Sequence, residues 1–421
     1  MAITQLQWNS RHRLGGLIMA LACFILPAIG RAESDTPMKN PVEWINQLSD
    51  KFKLHGFLSQ GFTYSNGNNY YGDSTHGSFD LTEIGLNLSY RLRPDTTLAV
   101  QGLSRRAGGM DNGSPRLDYA FVDHTVAQDS QHRWGVRLGR IKNPIGFYNE
   151  SRDIAVVRPG IILPQSIYLG GMGLRDFFLA SDGLGLYWQR HGQDSALSVD
   201  YQVALPTQLS SQTQRAFMRG VILPGHLDME TGQVLRILHD NETNFRWAVT
   251  GVFVKSQYKP AAVDLLTDGT VSIYVLTLSA DWLLHPWQLT SEAAWRELVY
   301  KGFGAAVDSQ PSHLSIYGEA LYRWSEDKWQ ASLRYDLHYF DIDDPNGSTM
   351  EAHTGVPGHS RFSKDLTLGL GWNVTPTFQL RAEYHLIDGS GFAPLVDNPG
   401  LQAGNVDRYW DILTLQAAFR F

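Results

Sequence analysis

The last fourteen residues of the chain, 408–421, read RYWDILTLQAAFRF. Counting back in twos from Phe421 puts Phe419, Ala417, Leu415 and Leu413 on one face. Arg420, Ala418, Gln416 and Thr414 fall on the other. Side chains of a strand alternate with period 2, so this segment has one apolar face and one small or polar face. Such a strand suits a wall between lipid and water; the alternative is the edge strand of a soluble sandwich.

The rest of the chain decides between them by repeating the pattern. Sixteen alternating segments can be read: 52–65, 79–93, 96–108, 116–127, 132–143, 182–191, 194–205, 233–240, 243–256, 270–283, 286–299, 313–325, 328–340, 364–374, 377–388 and 408–421. Most run about ten to fourteen residues, long enough to cross a bilayer as a tilted strand. In the second, Ile84, Leu86, Leu88, Tyr90 and Leu92 alternate with Glu83, Gly85, Asn87, Ser89 and Arg91. A helix would not bring those five apolar residues onto one stripe. In the thirteenth, Trp329, Ala331, Leu333, Tyr335, Leu337 and Tyr339 alternate with Gln330, Ser332, Arg334, Asp336, His338 and Phe340. The eighth carries the weakest pattern.

Connection lengths alternate as well. Arg93-Pro94-Asp95, His191-Gly192-Gln193, His285-Pro286, Ser325-Glu326-Asp327 and Thr375-Pro376 are tight turns. Long loops lie near 66–78, 109–115, 144–181, 206–232, 257–269, 300–312, 341–363 and 389–407. Short turns at one end, long loops at the other and an even strand count describe a transmembrane antiparallel β-barrel of about 16 strands. Sixteen strands leave a water-filled lumen, whereas eight would pack solid. A C-terminal aromatic closing the last strand resembles the terminal signal of bacterial outer-membrane barrels. That resemblance makes Phe421 the expected membrane-insertion signal, read by the barrel-assembly machinery.

The N-terminus fits this destination. Arg11 and Arg13 precede the apolar stretch Leu14–Ile29, and Gly30-Arg31-Ala32 offers small residues at a cleavage site. Residues 1–32 therefore read as a secretory signal peptide, 33–51 as a short periplasmic segment with a possible helix over 41–50, and 52–421 as the barrel. Cys23, the only cysteine, lies in the leader, so the mature chain would have none. That suits passage through an oxidising compartment without disulfides. Losing 1–32 removes three arginines and no acid, which moves the formal net charge from −7 to −10. A nucleic-acid partner would favour the opposite sign. The 12 Trp and 18 Tyr suit membrane interfaces, where one end of the ring is wet.

The stretch WGVRLGRIKNPIGFYNESRD, 134–153, carries a Gly-Arg-x-Lys-x-Pro-x-Gly run at 139–146 followed by acidic and Arg residues. With LHGFLSQGFTY and DLTEIGLNLSYRLRP before it, it resembles the phosphate-selective porin O and P family and its broader relatives over residues 52–180. The resemblance implies a third loop folded into the lumen and a homotrimer. Loops of this length are usually functional. Residues 154–174 include Ile154, Val156, Val157, Ile161, Ile162, Leu163 and Ile167. Exposed outside a cell they would form an unprotected patch, so burial against the inner wall is expected; the alternative is an exposed or subunit-interface loop.

With the apolar faces outward, the lumen side of strands two to five carries Arg91, Arg105, Arg116, Arg133 and Arg137, with Glu83 and Asp118 among them. Arg140 and Lys142 stand at the mouth of the third loop; Arg140 falls on the apolar face and would snorkel or mark a bulge. The loop itself holds Glu150, Arg152, Asp153, Arg158, Arg175 and Asp176. These twelve — Arg105, Arg116, Arg133, Arg137, Arg140, Lys142 and the six of the loop — are the expected pore-lining and constriction residues. Arginine ladders draw anions and carboxylates draw cations. The third loop has no Lys, unlike the Lys- and Arg-rich constriction of the phosphate-specific members, so a phosphate site is not carried over.

Other constellations are weaker. Gly72-Asp73-Ser74 resembles the start of a lipase nucleophile block without partners at a recognisable spacing. Asp341–Gly347 is similar to a calcium loop with a Pro in a ligand slot and no closing Glu. His353 and His359 share that loop. No catalytic residue, cofactor or metal is expected. The function expected is passive diffusion of small hydrophilic solutes or ions, with outer-membrane lipid and lipopolysaccharide around the barrel. The alternatives are a channel specific for small anions (phosphate or organic carboxylates) and a barrel-scaffolded enzyme or adhesin.

Overall fold

The structure is a computed structural model that describes residues 51–421 apart from Arg219, Ala306, Gln402 and Ala403. The leader and the possible helix over 41–50 lie outside the described residues. The barrel strands are β1 Phe52–Asn66, β2 Ser78–Arg93, β3 Thr96–Ala107, β4 Arg116–Gln128, β5 His132–Lys142, β6 Ala180–His191, β7 Ala196–Ala204 and β8 His226–Asp240. They continue with β9 Phe245–Lys259, β10 Gly269–Leu284, β11 Trp287–Lys301, β12 Ser312–Trp324, β13 Trp329–Tyr339, β14 Phe362–Thr375, β15 Phe378–Asp388 and β16 Tyr409–Arg420. Each pairs antiparallel with its neighbour in sequence. β1 pairs with β16 from Phe57↔Arg420 to Asn66↔Asp411, so the sheet closes and leaves no edge. A two-residue ladder, Thr207–Gln208, pairs with Met229 and Asp228 above β7.

The barrel is inside-out relative to a soluble protein. Thr63, Thr250, Ser315 and Thr414 are fully buried in the interior, while Leu278, Leu333 and Leu368 are about half exposed on the outside. That is the alternation expected where lipid, not water, faces the wall. At the short-turn end an aromatic belt runs from Trp287 to Tyr322, Trp324, Trp329 and Trp372, with ring centroids 4.8–6.3 Å apart. Such rings settle at headgroup depth. At the seam, Phe421 exchanges backbone hydrogen bonds with Gly56 at 3.0 and 3.2 Å, and its ring lies across the bare glycine.

The eighth strand departs from expectation. It starts at His226, seven residues before 233, and 206–232 is correspondingly shorter as a loop. A register shift opposite Lys255 and Ser256 leaves Glu230 as an extra residue. Above it Leu227 and Met229 turn inward into an apolar cluster with Phe217 and Tyr258, while Glu230 and Asp228 pair outside with Lys255 and Lys259 at 2.8 and 2.7 Å. This polarity, opposite to that of the lipid zone, hides the strand from a lipid-facing template.

Candidate pore constriction

The third loop, 143–179, leaves the top of β5 and folds into the barrel. Its one-turn helices, Gln165–Tyr168 and Arg175–Leu179, and its apolar run are positioned by the walls. Ile161, Ile162, Leu163 and Ile167 are buried. Ile161 and Ile162 pack with Tyr70, Tyr71, Trp410 and Ile412, and Leu163 and Ile167 with Tyr148, Tyr168 and Tyr317. Val157 remains partly exposed towards the short-turn end.

Wall carboxylates grip the loop backbone. Glu383 accepts the N–H of Ile161 at 2.7 Å and of Ile162 at 3.0 Å. Asp336 accepts from Ser166 N at 3.2 Å. Glu292 accepts from Phe147 N and from the hydroxyls of Ser279, Tyr168 and Tyr317, at 2.6–3.0 Å. Arg381 donates to the carbonyls of Ala155 and Gly160, and Arg296 to that of Ile167. Loop amides and carbonyls that would otherwise be orphaned in the interior are thereby paired.

On the opposite side the expected basic wall meets carboxylates. One unbroken chain of ion pairs runs Arg158–Glu83–Arg105–Asp111–Arg116–Asp176–Arg175–Asp153–Lys142–Asp118. It holds five cations and five anions, so it is neutral. Arg158 binds Glu83 in a two-pronged contact at 2.8 and 3.3 Å. Arg137 and Arg133 share Asp123, at 2.8 and 3.8 Å, with Tyr187 between them donating to the same carboxylate. Glu150 meets Arg236 at 2.6 Å, and Asp200 takes the other prong at 3.1 Å.

Arg140 is corrected. It pairs across the ladder with Asp182 on the outward face that Leu138 and Leu184 also occupy, 3.6 Å from the Asp182 carboxylate, and it is not a lumen residue. Lys142, at the strand's end, turns inward. Arg152 is buried against Asn149 and the Tyr168 ring, with no carboxylate within 4 Å among the described residues. Arg296 and Arg381 are likewise buried with no carboxylate that close among the described residues. The expectation missed these two, together with Asp111, Asp123, Asp200, Arg236, Glu292 and Glu383. The signal was available: β11 to β15 carry charged residues at alternate lumen positions, as Arg334 and Asp336 in β13 illustrate.

Of the cavities that border the loop, the two at opposite ends of the barrel share no lining residue. The one at the short-turn end has about 610 Å³ and is lined by Arg158, Arg246, Glu319, Arg323, Lys328 and Arg381 among others. The one at the long-loop end has about 500 Å³ and a largely apolar lining. Other outer features are structural. Ser74 Oγ is buried, accepts from Tyr70 N and meets Ser65 Oγ. Asp344 accepts the N–H of Met350 and Thr349 at the start of the Ser348–Thr354 helix; those bonds hold its carboxyl below the usual range. His353 caps Thr349 O, and His359 sits elsewhere, on Ser390.

No family model matches the chain, and no curated protein matches it. Solved structures do share the fold. The outer membrane channel DcaP of Acinetobacter baumannii superposes with a TM-score of 0.55 at 12% identity, covering 88% of this chain and 97% of that one. OprB of Pseudomonas putida gives 0.54 at 12%, covering 90% and 96%. The anion-selective porin from Comamonas acidovorans gives 0.53 at 12%, covering 88% and 99%. The chain thus has the closed barrel fold of outer-membrane porins.

Proposed function

We propose that this chain is a porin of the outer membrane of a Gram-negative bacterium. Small hydrophilic solutes or ions would diffuse passively through its lumen past the third loop. The observation that carries the reading is a third loop bound to the barrel wall by backbone hydrogen bonds, with a cavity on either side. The Gly139–Gly146 run supports membership of the phosphate-selective O and P-like group, and the group's habit of trimerising is proposed with it.

In this reading Arg105, Arg116, Arg133, Arg137, Lys142, Glu150, Arg152, Asp153, Arg158, Arg175 and Asp176 shape the narrow zone. Most do so as paired charges that fix the loop, which leaves little net field from them. The guanidiniums without a nearby carboxylate, Arg152, Arg296 and Arg381, would set a preference for anions. A second reading, a channel specific for small anions, is favoured by the separation of the two cavities, which makes the path a pair of binding chambers.

The deciding experiment is single-channel recording in a planar bilayer under a salt gradient. An ohmic pore with a reversal potential on the anion side is expected. A folded barrel that never conducts would overturn the porin reading. Saturation of the current by one solute would select the specific channel.

A further inference from the structure

The cavity at the long-loop end differs from an ordinary porin vestibule in its walls. Met172 and Leu174 of the third loop, Phe217 of the fourth loop and Ile273, Leu298 and Phe340 of the walls are among the residues of its largely apolar lining. Among the described residues that line it, none is Asp or Glu, and two are Arg and two are His. In a chain with a net charge of −7, an acid-free chamber with fixed cations is a local reversal of sign.

Its polar floor is organised. Arg296 is buried and donates to Ser315 Oγ at 2.5 Å and to Ile167 O at 3.0 Å. Ser315 Oγ also lies 2.8 Å from Nδ1 of the fully buried His338. Since Ser315 accepts from Arg296, its own proton is available for Nδ1, which leaves the proton of a neutral His338 ring on Nε2. That Nε2 is buried without a hydrogen-bond partner among the described residues, and His338 is one of the residues that line the cavity. A buried N–H left unpaired costs free energy that a ligand acceptor would recover. Arg361 lies 5.3 Å over the Phe340 ring at the same wall.

We propose that this chamber binds a small organic carboxylate with an apolar body, its carboxylate at Arg296 and His338 Nε2 and its body against Met172, Leu174, Phe217 and Ile273. The volume, about 500 Å³, lies within the usual range of small-molecule sites, roughly 300–1,000 Å³. Phosphate or acetate would use the floor and leave the apolar wall unfilled, so neither matches the chamber as a whole. The inference rests on the porin reading only in taking the chamber as part of a solute path.

The test uses the full barrel in lipid nanodiscs, with binding of benzoate, acetate, benzyl alcohol and inorganic phosphate followed by saturation-transfer NMR. Benzoate should bind saturably and at least tenfold more tightly than the other three. Arg296→Gln should weaken it at least tenfold. Should that variant fail to fold, Leu395→Glu, which adds a carboxylate at the cavity's outer rim, should do the same. Equal binding of benzoate and acetate, displacement of benzoate by equimolar phosphate, or indifference to a folded variant would overturn the proposal. KCl conductance of the same protein separates the two readings. A silent barrel that binds benzoate sinks the porin and leaves the site. A conducting barrel that ignores benzoate sinks the site and leaves the porin.

Discussion

Phe421 and Gly56 are the smallest unit that explains the closure. A Cβ placed on Gly56 would lie 2.3 Å from the Phe421 ring, far inside contact distance. The aromatic therefore covers a bare stretch of β1 and completes the outer surface at the seam. Gly56→Val should displace it and cost about 1–3 kcal/mol, as overpacking usually does. Deleting Phe421 should lower folded yield similarly, and the double variant should be no worse than the more damaging single change. Heat-modifiable migration on gels reads all three. His359 makes a second prediction at this scale. Partial burial, and then Arg408, hold its imidazole below the ordinary range, so the folded state binds fewer protons than the unfolded chain. The stability that the neutral ring contributes is then fully present above that range and is lost as pH falls through it. Protection factors of the amides in 389–401, corrected for intrinsic exchange, should fall between pH 7.5 and 5 in the wild type, and that fall should vanish in His359→Asn.

At the scale of the element, the third loop behaves as a strut rather than a flap. Its amides at Ile161 and Ile162 end on Glu383, and Arg158 ends on Glu83. Removing one partner of a buried ion pair typically costs about 3–5 kcal/mol, because the other charge stays buried and unmatched. Glu83→Ala leaves Arg158 without its carboxylate and Arg105 with Asp111 alone, so trypsin should cut the loop after Arg152 in this variant and spare the wild type. Glu83→Ala/Glu383→Ala should raise single-channel conductance above wild type. Unchanged cleavage and current would mean that the loop is held by its apolar contacts alone. The strands themselves were legible wherever one face meets lipid. β13 shows this well, with every outward position from Trp329 to Tyr339 apolar or small. β8 was legible only below Glu230, because a bulge and an apolar interior above it invert the pattern.

For the whole molecule, the question is which charges a passing ion feels. Arg137 shares Asp123 with Arg133, whereas Arg381 faces the short-turn cavity with no carboxylate within 4 Å among the described residues. Arg381→Gln should therefore lower anion preference, read as a shift of the reversal potential towards the cation side. Arg137→Ala should shift it less. The reverse order would show that the paired wall steers permeation after all. Deleting the loop's apolar run should merge the two cavities and raise conductance severalfold.

The strand count, the closure at the C-terminus and the division into short turns and long loops could be read from the chain alone, because period-2 alternation reports a local fact: which face of each strand meets lipid. The third loop was also visible, by its length and its misplaced apolar residues. The charges that answer one another were not. Arg158 and Glu83 lie 75 residues apart, and Ile161 and Glu383 lie 222 apart. Only barrel closure and the infolding of the loop bring such groups within hydrogen-bond reach. The apolar chamber has the same origin. Ile273, which lines it, sits at an interior position of β10 where a polar lumen was expected, in one apolar cluster with Val252, Val254 and Val275. Their meaning appears once the third and fourth loops fold over them, since burial depends on what packs against a face and not on the face itself.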